Sequence, residues 1–190
     1  MTPLASTLIP EMLRRFGVDC EYPMDLRDEL EALHAPSFGW AMCCCRYHRQ
    51  EAEDVLQMVY IKVLEGSARF DGRSSLRTWL FGVIRQTARD QSRRQWLRAA
   101  LLERWYRLEP DAIPENDSGH RLEESQHNRA LLAAVQQLPQ RQREVLHLVF
   151  YQDLTIEESA RTLGISLGTA RTHFERGKQQ LRERLKGGER

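Results

Sequence analysis

The sequence predicts an all-α protein: two small helical domains joined by a flexible linker. Apolar residues recur at helical spacing in two separate blocks. An acidic stretch broken by prolines lies between the blocks. No segment alternates apolar and polar residues as a half-buried strand does, and there is no internal repeat.

The chain divides into an acidic N-terminal extension (1–36), a first helical domain (37–107), an acidic linker (108–127), a second helical domain (128–186) and a tail (187–190). A length of 190 residues suits one large domain or two small ones. The net charge of +1 conceals strong segregation. Residues 67–107 carry 10 Lys and Arg against 3 Asp and Glu, and residues 129–190 carry 11 against 7. Residues 108–128 carry 1 against 6. Two basic segments in a nearly neutral chain fit two phosphate-facing surfaces better than uniform solvation.

The elements follow in order. The extension holds Pro3, Pro10, Pro23 and Pro36 and is expected to be loosely organised, with a short helix near residues 11–16. Val55, Leu56, Val59, Val63 and Leu64 give the next segment one apolar helical face. Gly66, Gly72, Ser74 and Ser75 break that pattern, so residues 66–75 form a loop. Leu76, Leu80, Val83, Ile84 and Ala88 form the following stripe, with Arg77, Arg85, Arg89 and Arg93 along another face. Trp79 lies beside the apolar stripe, which favours core packing. Pro110, Pro114 and Gly119 mark the linker. In the second block Leu131, Leu132, Val135 and Leu138 share a face, and Pro139 stops that helix. Residues 142–151 form another helix.

No apolar run reaches membrane-spanning length, and the N-terminus lacks a basic start followed by an apolar stretch. The chain is therefore expected to be cytoplasmic, without membrane insertion. Cys43, Cys44 and Cys45 are consecutive, and successive helical residues point about 100° apart. They cannot converge on one ion in a helix, so small buried core residues are expected rather than a metal or redox site. No cofactor is expected, and no paired carboxylates, phosphate loop or activated nucleophile suggests an enzyme such as a nuclease.

The richest segment is 154–176. Thr155 and Glu158 stand at capping-box spacing. Ala160 is small where helices pack, Gly164 supplies a turn, and Ser166 caps a second helix. Ala170, Phe174, Gly177 and Leu181 then face inward, leaving Arg171, Thr172, Glu175 and Arg176 outward. This is a helix-turn-helix whose reading helix presents its N-terminal half. Arginine donates two hydrogen bonds to a guanine edge, and glutamate accepts from a cytosine amino group.

Two stretches carry a family resemblance. Glu53-Asp54-Val55-Leu56-Gln57 with Arg69-Phe70-Asp71-Gly72-Arg73-Ser74-Ser75-Leu76-Arg77-Thr78-Trp79-Leu80 resembles region 2 of the sigma-70 superfamily. Leu138-Pro139-Gln140-Arg141-Gln142-Arg143-Glu144-Val145-Leu146 with the helix-turn-helix resembles region 4. The lack of a sizeable region 3 resembles the extracytoplasmic-function subfamily.

The resemblance implies a specificity subunit of bacterial RNA polymerase, with core polymerase and promoter DNA as partners. Asp54, Gln57 and Lys62 would meet the β′ clamp helices, and region 4 would sit on the β flap. The minus-ten element would meet Arg69, Phe70, Asp71, Arg73, Ser74, Arg77, Arg85, Gln86, Arg89 and Arg93. Among these, the loop 69–75 would receive a flipped base. The minus-thirty-five element would meet Ser166, Thr169, Arg171, Thr172, Glu175 and Arg176. An anti-sigma factor is implied as a further partner.

Some positions depart from the family pattern. Met58 stands where an acid is common, Gln86 where asparagine is frequent, and Glu175 puts an acid on the reading helix. The main rival is a stand-alone helix-turn-helix regulator. A response regulator is disfavoured, because residues 37–107 show no receiver-like strand–helix pattern.

Overall fold

The computed structural model describes residues 24–105 and 126–187. These residues form eight helices and no strand. The first domain contains α1 (Met24–Ala32), α2 (His34–Cys44), α3 (Arg49–Leu64) and α4 (Leu76–Trp105). The second contains α5 (Gln126–Gln136), α6 (Gln140–Phe150), α7 (Ile156–Leu163) and α8 (Leu167–Gly187).

The extension is more ordered than its prolines suggest from Met24 onward. Leu30 of α1 is buried, and Pro36 lies in the first turn of α2, where a missing amide hydrogen costs no helical bond. The short helix expected near residues 11–16 lies outside the described residues.

Trp40 on α2 is fully buried, and its indole nitrogen donates to the Phe81 carbonyl of α4 at 2.9 Å. Val55, Val59 and Val63 of α3 close the same core with Leu80, Phe81 and Ile84 of α4. Cys43, Cys44 and Cys45 are buried free thiols. Burial pushes the Cys43 thiol up to about 12, so it stays protonated and unreactive. Among the described residues no group of His, Cys, Asp and Glu is arranged to hold a metal ion.

In the second domain the capping box is present. The Thr155 hydroxyl accepts from the Glu158 amide at 3.2 Å, and Glu158 Oε2 accepts from the Thr155 amide at 2.9 Å. Gly164 ends α7 in the left-handed region at φ 59°, a conformation that Cβ-bearing residues resist. Ser166 Oγ accepts from the Thr169 amide at 3.1 Å and starts α8. Ala160 and Ala170 are buried, and at Gly177 a Cβ would lie 2.8 Å from Leu146 Cδ1. Leu131 and Leu132 differ from expectation. They are exposed, because α5 uses Ala134 and the following Leu138 to reach its neighbours.

The two domains pack against each other. α2 touches α6, and α4 touches α7. One apolar core runs across both domains and includes Val145, Leu148, Leu154 and Leu163 from the second. The linker composition allowed either arrangement; side-chain complementarity at the interface selects the closed one.

Candidate nucleic-acid interface

The interdomain contact includes two clusters of polar groups. Arg85 Nε meets Glu144 Oε2 at 3.2 Å, with both side chains almost wholly buried. Arg85 Nη1 also donates to the Leu163 carbonyl at 3.2 Å, which satisfies an orphan acceptor at the end of α7. Burial pushes the Glu144 carboxyl above its ordinary range, and Arg141, Gln140, Arg143 and Arg89 oppose that shift.

Gln152 centres the second cluster. Its carbonyl oxygen accepts from Arg77 Nη2 at 2.9 Å. Its amide nitrogen donates to the Pro36 carbonyl at 3.1 Å and lies 3.2 Å from His147 Nε2. That amide has two hydrogens to donate, so a neutral His147 accepting at Nε2 completes the set. Burial holds the His147 pKa down to about 4, which keeps the ring in that neutral form. The His147 ring lies between Trp40 and Tyr151, with centroid distances of 5.6 and 5.1 Å.

The loop between α3 and α4 turns at Gly66 and Gly72, with φ of 71° and 73°. Ser75 caps α4 by accepting from the Thr78 amide at 3.2 Å. Arg69, Phe70, Asp71 and Arg73 are exposed, and Ser74 is half-buried. Arg73 pairs with Asp71 at 3.2 Å, and Arg69 Nε donates to the Gly66 carbonyl at 3.1 Å. Phe70 rests on the half-buried Trp79 ring at 5.5 Å, so Trp79 both packs on the core and backs the loop.

Behind the loop lies a cavity of about 570 Å³, lined by Lys62, Ser74, Trp79 and Gln86 among others. Lys62 Nζ donates to Thr87 Oγ1 at 3.0 Å. Lys62 therefore faces α4 and this cavity, whereas Asp54 and Gln57 are exposed on α3. Ser67, Thr78 and Thr87 also line the cavity. Sequence reasoning did not single them out; Ser67 and Thr78 flank the glycine loop and were legible there, whereas Thr87 lies farther along α4 and gave no local signal.

The arginines of α4 do not form one exposed stripe. Arg89 and Arg93 are exposed, Arg77 is half-buried, and Arg85 is buried. Arg85 departs from the expected phosphate-facing position because Glu144 and the Leu163 carbonyl take its hydrogens. Arg89 and Arg93 border a cleft of about 620 Å³ between the domains. Gln86 is exposed and donates to Asp90 at 3.0 Å.

On α8 the side chains of Ser166, Thr169, Arg171, Thr172, Glu175 and Arg176 are all exposed. Glu175 pairs with Lys178 at 2.9 Å, and Lys178 Nζ lies 4.6 Å over the Phe174 ring. An exposed row on the N-terminal half of the second helix has the placement a major-groove reader needs.

The descriptions Sigma-70 region 2 and Sigma-70, region 4 match residues 38–98 and 128–181. The ECF RNA polymerase sigma factor SigX of Bacillus subtilis is 34% identical over 139 residues, covering 72% of each chain. The chain belongs to the extracytoplasmic-function sigma-70 family. The sigma factor CarQ of Myxococcus xanthus is 31% identical over 161 residues, covering 85% of this sigma factor and 90% of CarQ. The fold matches the sigma factor RpoE of Bartonella quintana, solved in complex with the anti-sigma factor NepR. The TM-score there is 0.67 at 24% identity, over 86% of this sigma factor and 98% of RpoE. No described helix is long and apolar enough to cross a membrane.

Proposed function

We propose that this sigma factor binds core RNA polymerase and directs it to promoters, acting by recognition without catalysis of its own. Residues 37–107 serve as region 2, 128–186 as region 4 and 108–127 as the connector. Exposed Asp54 and Gln57 meet the β′ clamp helices, and region 4 sits on the β flap. Lys62 is placed better to support the minus-ten loop than to meet the clamp. The loop 69–75 and the cavity behind it take a flipped minus-ten base, with Phe70 and Trp79 as the stacking surface. Gln86, Arg89 and Arg93 serve the same element, together with Arg77 and Arg85 once these are released. The exposed row on α8 reads the minus-thirty-five element. An anti-sigma factor controls the protein in the cytoplasm, as the family's biology implies.

The observation that carries this reading is the capped helix-turn-helix with six exposed reading residues, preceded in the same chain by a glycine-turned basic loop. The test is run-off transcription with purified core polymerase, this protein and a pool of genomic promoters. New start sites sharing two spaced elements support the proposal. Absence of both polymerase binding and transcripts at low salt overturns it and favours a stand-alone regulator.

A further inference from the structure

We infer that the cavity between the α2–α3 turn and the start of α6 binds a small phosphorylated molecule, whose pyrophosphate group is held by Arg46, His48 and Arg143. None of these three residues is among the proposed promoter or clamp contacts, so the site stands apart from the promoter function.

The cavity has a volume of about 430 Å³. Its wall joins Arg46 and His48 of the first domain to Pro139, Gln140 and Arg143 of the second, and no acid lines it.

Arg143 is the residue that calls for an anion. Only 4% of it is exposed, and arginine is seldom buried so far without a carboxylate partner. The adjacent Glu144 carboxylate is taken by Arg85 at 3.2 Å and by Arg141 at 3.4 Å. Arg143 itself forms no ion pair among the described residues, and its partners there are neutral. Nη1 donates to the Gln136 carbonyl at 3.0 Å, and the Cys43 thiol beside it stays protonated. Nε is buried without a hydrogen-bond partner. Three arginines thus surround one carboxylate, and the excess charge lies in the wall of an acid-free cavity. A bound anion supplies the missing charge.

The start of α6 adds a second attraction. Its N-cap, Pro139, makes no side-chain hydrogen bond. An uncapped helix start offers backbone N–H groups and the positive end of the helix dipole, both suited to phosphate.

Arg46 and His48 approach from the opposite wall. They belong to a turn in which Arg46 and Tyr47 both take left-handed backbone angles, φ 53° and 67°. Arg46 is exposed and has no side-chain partner among the described residues, so its planar fork is available to phosphoryl oxygens. His48 is half-buried beside it and donates from its ring.

Two guanidinium groups, an imidazole and helix amides suit a tetrahedral group with many acceptor oxygens better than a planar carboxylate. The cavity also adjoins the larger interdomain cleft, with which it shares Arg46, His48 and Gln140. The remainder of the ligand has space there.

The test uses the full chain, with inorganic pyrophosphate as the probe. Calorimetric titration at constant ionic strength should show one pyrophosphate per chain, and the thermal unfolding midpoint should rise with its concentration. The His48 ring signals should shift saturably with the same Kd, while those of His173 on α8 stay in place. Arg46→Ala should weaken binding roughly tenfold, the loss expected for a charged hydrogen bond. Arg182→Ala removes an exposed arginine of α8 outside the cavity and should bind as the wild type does. Orthophosphate should bind more weakly than pyrophosphate.

No saturable binding, or stabilisation matched by sodium chloride at the same ionic strength, overturns the inference. So does binding that survives Arg46→Ala unchanged or leaves the His48 signals in place. Orthophosphate of equal affinity overturns the assignment to a pyrophosphate group. Arg143→Gln tests the buried charge directly, and a folded variant with wild-type affinity also overturns the inference. If that variant fails to fold, Arg46→Ala and the His48 signals of the wild type decide.

Discussion

The Arg85 guanidinium and the Glu144 carboxylate meet at 3.2 Å across the two domains, in a site from which both side chains are almost completely shielded from water. A pair of this kind contributes little net stability over an apolar pair of equal volume. Removing one member is costly, because it strands a charge.

Glu144→Leu alone should therefore destabilise the chain by about 3–5 kcal/mol in urea unfolding. Arg85→Met combined with Glu144→Leu should cost clearly less than that single change. The double-mutant cycle measures the difference as a coupling energy. Additive losses would show that the two groups do not act as a pair.

Stability should fall as pH drops from about 6.5 toward 4 through His147. The ring's ordinary value is 6.5, and burial holds it at about 4 in the folded chain. The unfolded chain therefore binds more protons in that window. The stability His147 contributes is fully present above its unfolded value and is lost on acidification, by about 3 kcal/mol at most. His34, also lowered by burial, acts in the same direction, and the raised carboxyl of Glu144 acts in the opposite one. The difference between wild type and His147→Gln, followed by thermal unfolding across this range, isolates the His147 part. A difference independent of pH would place the ring in water.

Thr155→Ala should cost about 1 kcal/mol through loss of a helix cap. It also removes the hydroxyl that donates to Glu158 Oε2 at 2.7 Å and helps hold that carboxyl below its ordinary range. The Glu158 pKa should therefore rise toward its ordinary value, which carbon-detected titration would follow. The second domain should loosen at α7 first, seen as faster amide exchange over Ile156–Leu163.

The parts legible in the sequence were those set by local chemistry. Caps at Thr155 and Ser166, the turn at Gly164 and the buried Ala170 depend on neighbours a few positions away. The loop glycines Gly66 and Gly72 were legible for the same reason. The closed interface was not. Gln152 and Arg77 are 75 positions apart, and nothing in either local pattern indicates the other. Arg85 sits in register with Arg77, Arg89 and Arg93, so helical spacing alone made it one of a stripe. Its burial follows from Glu144, 59 positions away. Trp40 escaped notice because its bonding partner is a backbone carbonyl 41 positions on.

Arg171 and Arg93 should separate reading from holding. Arg171 lies exposed on the first turns of α8, where a major-groove helix meets base edges. Arg93 lies exposed on α4 beside the interdomain cleft, where the proposed partner is a phosphate. In promoter complexes with polymerase, Arg171→Ala should weaken binding by about 1–3 kcal/mol, and the loss should depend on the base at one minus-thirty-five position. Promoters altered at that position should bind wild type and variant alike. Arg93→Ala should weaken binding to all promoters by a similar factor and should lower the slope of log affinity against log salt by about one. The assay is a salt series of polymerase–promoter affinities on a small set of single-base variants. A uniform loss for Arg171→Ala would move it from base reading to backbone contact. A loss for Arg93→Ala that varies with sequence would do the reverse.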